Sequence, residues 1–410
     1  MEPETRNSKL EIQNTDSGHQ ARSLLSYCTY HFIDDGFADS IYLLLPFIAA
    51  ELHLSFSQVG LLKGMFSGAM SLLQLPMSLL GERAGELAVI AAGTFGLTGG
   101  FLLLSWASTF FSVLLTLILA KGTAAGQHGL SSSVLSRVFE TSGRRAAMGT
   151  YNFSGDVGKV AVPFLLALLI NWMGWRQGVF ALSLGGIAAG AALWVLARKE
   201  RGEFSVPKAE PRQRSKRRGW GISDPKAFAA LLTIGVLDSS TRSALLTFLP
   251  FLLLEKGISA SQVGFCLTLL FAGGAAGKFA CGILAERFGI IAMVVVTETL
   301  TAAGILSLFW MSPSAIWFLL PFVGIVLNGT SSVLYATVAE IISPGERSRG
   351  YGLYYAITLG ASAVAPVIYG LVSDSLGLPF TLTCVALMAL ITLPLSRHLS
   401  RPESPPPSPT

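Results

Sequence analysis

Apolar residues gather along this chain into long blocks, broken by short polar stretches. Blocks of about 20 or more apolar residues fall near 24–50, 56–80, 87–106, 109–138, 147–171 and 176–197, then 227–254, 260–284, 290–311, 314–342, 350–372 and 379–396. Roughly 20 helical residues cross the hydrocarbon of a bilayer, and lipid satisfies no open backbone group, so such blocks must be helices. The pattern predicts an all-α integral membrane protein of twelve transmembrane helices. Composition agrees: 51% of the residues are hydrophobic and 13% are charged, about half the charged share of a soluble chain.

The polar stretches set the organisation: an N-terminal tail (1–23), a basic linker (198–226) and a Pro-rich tail (397–410) expected to be disordered. Met1 to Arg22 lacks the basic, apolar and small-residue succession of a cleaved signal peptide. If both termini lie on one side, most of the 29 basic residues fall in the tails and loops of that side, and Arg176 and Lys256 fall on the other. Retention of Lys and Arg in the cytoplasm then places both termini there. Trp106, Trp172, Trp175, Trp310 and Trp317 gather at the opposite face, as suits indoles at a headgroup layer. The linker run Arg212, Arg214, Lys216, Arg217, Arg218 reads as a topology determinant, with anionic-lipid binding as the alternative. Cys28, Cys266, Cys281 and Cys384 show no metal-ligand spacing and read as small apolar side chains.

A shift of 204 positions superposes Asp34 on Asp238, Pro46 on Pro250, Ser57–Gly60 on Ser261–Gly264, Glu82-Arg83 on Glu286-Arg287 and Gly85 on Gly289. A shift of 203 places Gly149 on Gly352, Pro163 on Pro366 and Gly174 on Gly377. Two six-helix bundles of the same orientation, 24–197 and 227–396, follow from this repeat.

Gly282-x-x-x-Glu286-Arg287-x-Gly289 resembles the loop Gly-x-x-x-Asp-Arg-x-Gly that follows the second span of each half in the major facilitator superfamily. The first copy, Ser78-x-x-x-Glu82-Arg83-x-Gly85, departs at its leading residue, and glutamate replaces aspartate in both. Lys121-Gly-Thr-Ala-Ala-Gly126-Gln-His128-Gly129 and Gly155-Asp156-Val-Gly158-Lys159-x-x-x-Pro163 are similar to stretches of the fosmidomycin-resistance-like branch, with Gly129 where that branch has proline and Asp156 where it has asparagine. The resemblance covers roughly residues 24–396. It implies the major facilitator fold, a gating role for the two loops, and spans 1, 4, 7 and 10 lining a central cavity in a bacterial inner membrane. Gly155 and Gly158 suit close helix packing, and Pro163 and Pro366 weaken the helix ladder at matching places.

Ionisable residues at mid-span are costly and are site candidates by default. Asp34, Asp35 and Asp39 lie in the first span, Asp156 and Lys159 in the fifth, Asp238 and Arg242 in the seventh. Asp156 with Lys159, and Asp238 with Arg242, have the helical spacing of self-neutralising pairs. Asp34 and Asp35 are adjacent and cannot face the same way, so at least one needs a partner elsewhere. Lys121 is the natural counter-charge. His128 reads as a packing residue or a titrating group, and Asn328 and Tyr335 offer neutral hydrogen bonds. Lys63 and Lys278 are expected to snorkel. Glu298 stands out because the ninth span should be peripheral, and three alternatives stay open: it turns inward, it is protonated, or the register of the span differs.

These features predict a secondary active transporter coupled to protons, exporting a small polar or anionic compound or drug by alternating access. The expected partners are that small molecule, protons and membrane lipids, with no cofactor, no metal, no nucleic acid and a monomeric state. The alternatives are an uptake permease or proton symporter and, more remotely, a non-transporting sensor or an intramembrane enzyme. No Gly-x-x-x-x-Gly-Lys-Ser/Thr loop for direct ATP use occurs, nor His-Glu-x-x-His or Gly-x-Ser-x-Gly.

Overall fold

The computed structural model describes residues 4–139, 143–200, 221–343 and 347–399. The basic run at 212–218 and the tail after Arg401 lie outside them. The chain is built of helices: α1 (Glu4–Leu52), α2 (Phe56–Ala84), α3 (Glu86–Leu104), α4 (Phe110–Thr123), α5 (Gln127–Val138), α6 (Arg144–Met173) and α7 (Trp175–Glu200). Then come α8 (Pro225–Glu255), α9 (Ala260–Phe288), α10 (Ile290–Ser307), α11 (Pro313–Ile341), α12 (Arg347–Leu376) and α13 (Leu378–Ser396). Among the described residues, 9 helices are long and apolar enough to span a membrane, with 110–138 taken as one. The other long helices, α1, α2 and α8, carry more polar residues, including the first- and seventh-span aspartates.

Local chemistry sets the ends. Thr109 and Ser112 form a capping box before α4, Asp224 accepts the N–H groups of Lys226 and Ala227 before α8, and Ser312 caps α11. Between α2 and α3, and again between α9 and α10, the chain turns on Gly85 (φ 98°) and Gly289 (φ 86°). Gly174 (φ 84°) and Gly377 (φ 86°) do the same before α7 and α13. Left-handed backbone at repeat-related positions explains why glycine stands at each.

The fourth span, expected as one helix, is divided. Its hydrogen-bond ladder breaks at Ala124–Gly126, where the Ala125 N–H turns back to the Gly122 carbonyl at 3.3 Å. Flanking glycines Gly122 and Gly126 favour the interruption. The break separates Lys121 from His128.

The fold divides into two compact units: Met1–Ile41 with Leu72–Pro211, and Tyr42–Ser71 with Arg212–Thr410. The expected division at the linker differs from this for residues 42–71. In unit 1, α3 meets α4 where Gly93 and Gly100 face Ala124 and Ala120, and α6 meets α1 where Gly158 faces the Phe32 backbone. In unit 2, Gly273, Gly277 and Gly324 bring the backbones of α9 and α11 together. There the start of α2 packs on α12: Gly60 faces the Pro366 carbonyl, and the Asp374 carboxylate accepts the N–H groups of Phe56 and Ser57 at 2.7 and 2.9 Å. That carboxylate caps α2 from another helix.

Candidate functional site

In unit 1 the mid-span charges converge. Asp34 on α1 is 1% exposed and lies 3.1 Å from the Lys121 Nζ on α4. Asp35 lies 3.0 Å from the Lys159 Nζ on α6, while Asp156, the expected partner of Lys159, is at 3.8 Å. The adjacent aspartates thus point to different helices, as adjacent helical residues must. Asp39 also acts on Lys159.

The helix break brings His128 into the same group, with its Nε2 3.6 Å from Asp34 and 3.5 Å from Asp35. It faces the acids rather than serving only as packing. Gly155 supplies the space: a Cβ there would lie 2.6 Å from the His31 ring and 2.7 Å from an Asp35 oxygen.

His31 was not singled out by the sequence, yet it sits at the centre. Its spacing of four from Asp35 on α1 was the available signal. Its ring stacks on Tyr151 at 4.1 Å and meets His128 edge-on at 4.9 Å. His31 Nδ1 is 2.8 Å from the Tyr151 carbonyl, which only accepts, so Nδ1 carries a hydrogen. Nε2 then faces Asp35 Oδ2 at 3.3 Å. An ionised carboxylate also only accepts, so an attractive contact there needs one more proton, on the imidazole or on the carboxyl. One Asp34 oxygen and the Gln127 amide nitrogen are buried without a hydrogen-bond partner. Tyr151 donates to Gln127 at 3.1 Å.

His31, Asp35 and His128 could offer a cation three ligand atoms within 4.8 Å of one another. The ammonium groups of Lys121 and Lys159 already neutralise the carboxylates, however, and would repel a metal ion.

The remaining candidates lie elsewhere. In unit 2, Arg242 binds Asp238 at 2.9 Å, one turn away on α8. Asn328 spends its amide on the Gly324 carbonyl at 3.2 Å and faces Gly274 of α9. Tyr335 is half-exposed beside Tyr351 and Tyr355. Lys63, expected to snorkel, is buried instead, bonded to Ser67 and lying over the Tyr42 ring at 4.9 Å. Glu298 turns inward and is 2% exposed.

In the loop motifs, Glu82, Arg83, Glu286 and Arg287 are exposed, with Gly85, Gly282 and Gly289 half-buried. The sequence reading missed Glu86, which pairs with Arg137 of α5. Pro163 and Pro366 are buried inside α6 and α12, and each helix continues through its proline.

A family model described as Major Facilitator Superfamily matches residues 28–237 and 231–410. The fosmidomycin resistance protein of Escherichia coli (strain K12) is 22% identical over 383 residues, covering 90% of this chain and 91% of that protein. The uncharacterized MFS-type transporter YfnC of Bacillus subtilis (strain 168) is 22% identical over 366 residues, 88% of each. Among solved structures, a bacterial homologue of the human lysosomal transporter Spinster superposes with TM-score 0.78 at 16% identity, covering 91% of this chain and 95% of that one. A mutant of the nucleoside transporter NupG superposes with TM-score 0.77 at 11% identity, covering 92% and 99%.

Proposed function

The chain belongs to the Major Facilitator Superfamily of membrane transporters, and on that premise we propose that it exports a small polar or anionic compound in exchange for protons by alternating access. The observation that supports this reading is the buried cluster in which His31 and His128, both able to take up a proton, face Asp35 beside Lys159. Around it, Lys121 and Lys159 hold Asp34 and Asp35 across helix boundaries. A compound whose donor groups occupy these carboxylates displaces the proton, and that competition is the basis of exchange. The name of one relative, fosmidomycin resistance protein, supports the outward direction.

A second reading, proton symport of an organic anion, draws on the same pairs. An anion that takes Lys121 or Lys159 leaves a buried carboxylate without its cation, which favours proton binding alongside the anion. Vesicles carrying the purified chain, tested with fosmidomycin under an imposed pH gradient, separate the two. Exchange drives the compound against the proton flow and symport drives it with the flow. Transport indifferent to the gradient would remove proton coupling altogether.

A further inference from the structure

Glu298 on α10 is buried in unit 2, and its Oε2 has no hydrogen-bond partner. The Thr330 hydroxyl of α11 is the partner of the carboxyl group. From there a chain of contacts continues: Thr330 to the Thr297 hydroxyl at 2.7 Å, and Thr297 to the Met293 carbonyl at 2.7 Å. Each of these three links needs one hydrogen. With Thr297 donating to the Met293 carbonyl and Thr330 donating to Thr297, neither hydroxyl has a hydrogen left for the carboxyl, and Glu298 as an acid supplies it. A carboxylic acid closes the chain, whereas a carboxylate leaves one link without a hydrogen.

Charge points the same way. The charged groups acting on Glu298 among the described residues are Asp238 and Arg242 of α8, and Arg242 is already bonded to Asp238. One guanidinium neutralises one of the two buried carboxyls, and the other needs a proton to stay out of water. Among the described residues, the cations of α9, Lys278 and Arg287, are not among the groups acting on Glu298. On α10 itself the neighbours are Thr297 and Thr301, α11 presents Thr330, and α12 brings Tyr354 beside Asp238 and Arg242. On α9 the buried thiol of Cys281 lies against Gly329, and Cys384 is the only acid or base along 378–396.

We propose that Glu298 is a second proton-binding site, held as a neutral acid in unit 2 and separate from the His31–Asp35 site. The use of this proton in transport rests on the proposed proton coupling, while its presence does not. Infrared spectra of the full chain in vesicles near neutral pH test it. Glu298→Gln should remove a protonated-carboxyl band present in the wild type, and Glu298→Asp should shift that band. An unchanged band, with the loss appearing among ionised carboxylates, overturns the proposal. If Glu298→Gln does not insert, the wild type and Glu298→Asp carry the comparison, and an unshifted protonated-carboxyl region is then the contrary result. A band that disappears in Glu298→Gln while wild-type transport ignores an imposed pH gradient leaves the site standing and counts instead against the coupled reading.

Discussion

The two buried charge clusters occupy repeat-related places, with Asp34 aligned on Asp238, yet they are neutralised differently. In unit 1 the cations arrive from other helices: Lys121 from α4 and Lys159 from α6. In unit 2 Arg242 reaches Asp238 from the next turn of the same helix, and Glu298 is left to its threonine chain. A pair between helices changes when those helices move, whereas a pair within one helix travels with it. On the proposed coupling, helix motion changes the partners of the first cluster's carboxylates and leaves the Asp238–Arg242 pair intact. The duplicated fold thus neutralises its repeat-related aspartates in two different ways.

The largest expected effect comes from breaking an inter-helix pair. Lys121→Gln strands Asp34 at 1% exposure and should abolish transport and cost about 3–5 kcal/mol of stability. Adding Asp34→Asn should recover most of the stability without restoring transport. Thermal unfolding of the single and double variants measures that coupling. If Asp34–Lys121 proves no more strongly coupled than Asp238–Arg242, the comparison fails.

A smaller effect is expected at Gly155, where alanine would press on His31 and Asp35. Gly155→Ala should cost about 1–3 kcal/mol and reduce transport further than that loss explains. Gly149→Ala is the control, since a Cβ there meets nothing within 4 Å, and should be neutral or slightly stabilising. Equal behaviour of the two variants in a transport assay would show that the crowding at Gly155 has no functional weight.

Much of this molecule was legible in the sequence, for physical reasons that can be named. Apolar blocks marked the helices because lipid leaves a spanning segment few alternatives. The repeat located the turns at Gly85, Gly174, Gly289 and Gly377, because left-handed backbone demands glycine in both copies. Lys121 was identifiable as the partner of a first-span aspartate because few cations stand at mid-span. The partner of Lys159 was not, because spacing along a helix favours Asp156 and says nothing of a neighbour across a helix interface. His31 was passed over although it lies one turn from Asp35. Its role depends on the Tyr151 carbonyl, a backbone group that no side-chain pattern reveals. Glu298 was left open between an inward turn, a protonated side chain and a different register, and the structure turns it inward. The direction of one side chain depends on helix rotation, which apolar α10 leaves undetermined by pattern alone.

The central claim is that protons drive transport through the first-helix carboxylates, and Asp35→Asn tests it most directly. Asparagine keeps the size of the side chain and much of its hydrogen bonding but cannot titrate. In vesicles loaded with the test compound of the proposed function, the wild type should, on that proposal, move the compound against an imposed proton gradient. Asp35→Asn should lose that drive while still exchanging labelled for unlabelled compound across the membrane. Full gradient-driven transport by Asp35→Asn, by Asp34→Asn and by the double variant would contradict the account.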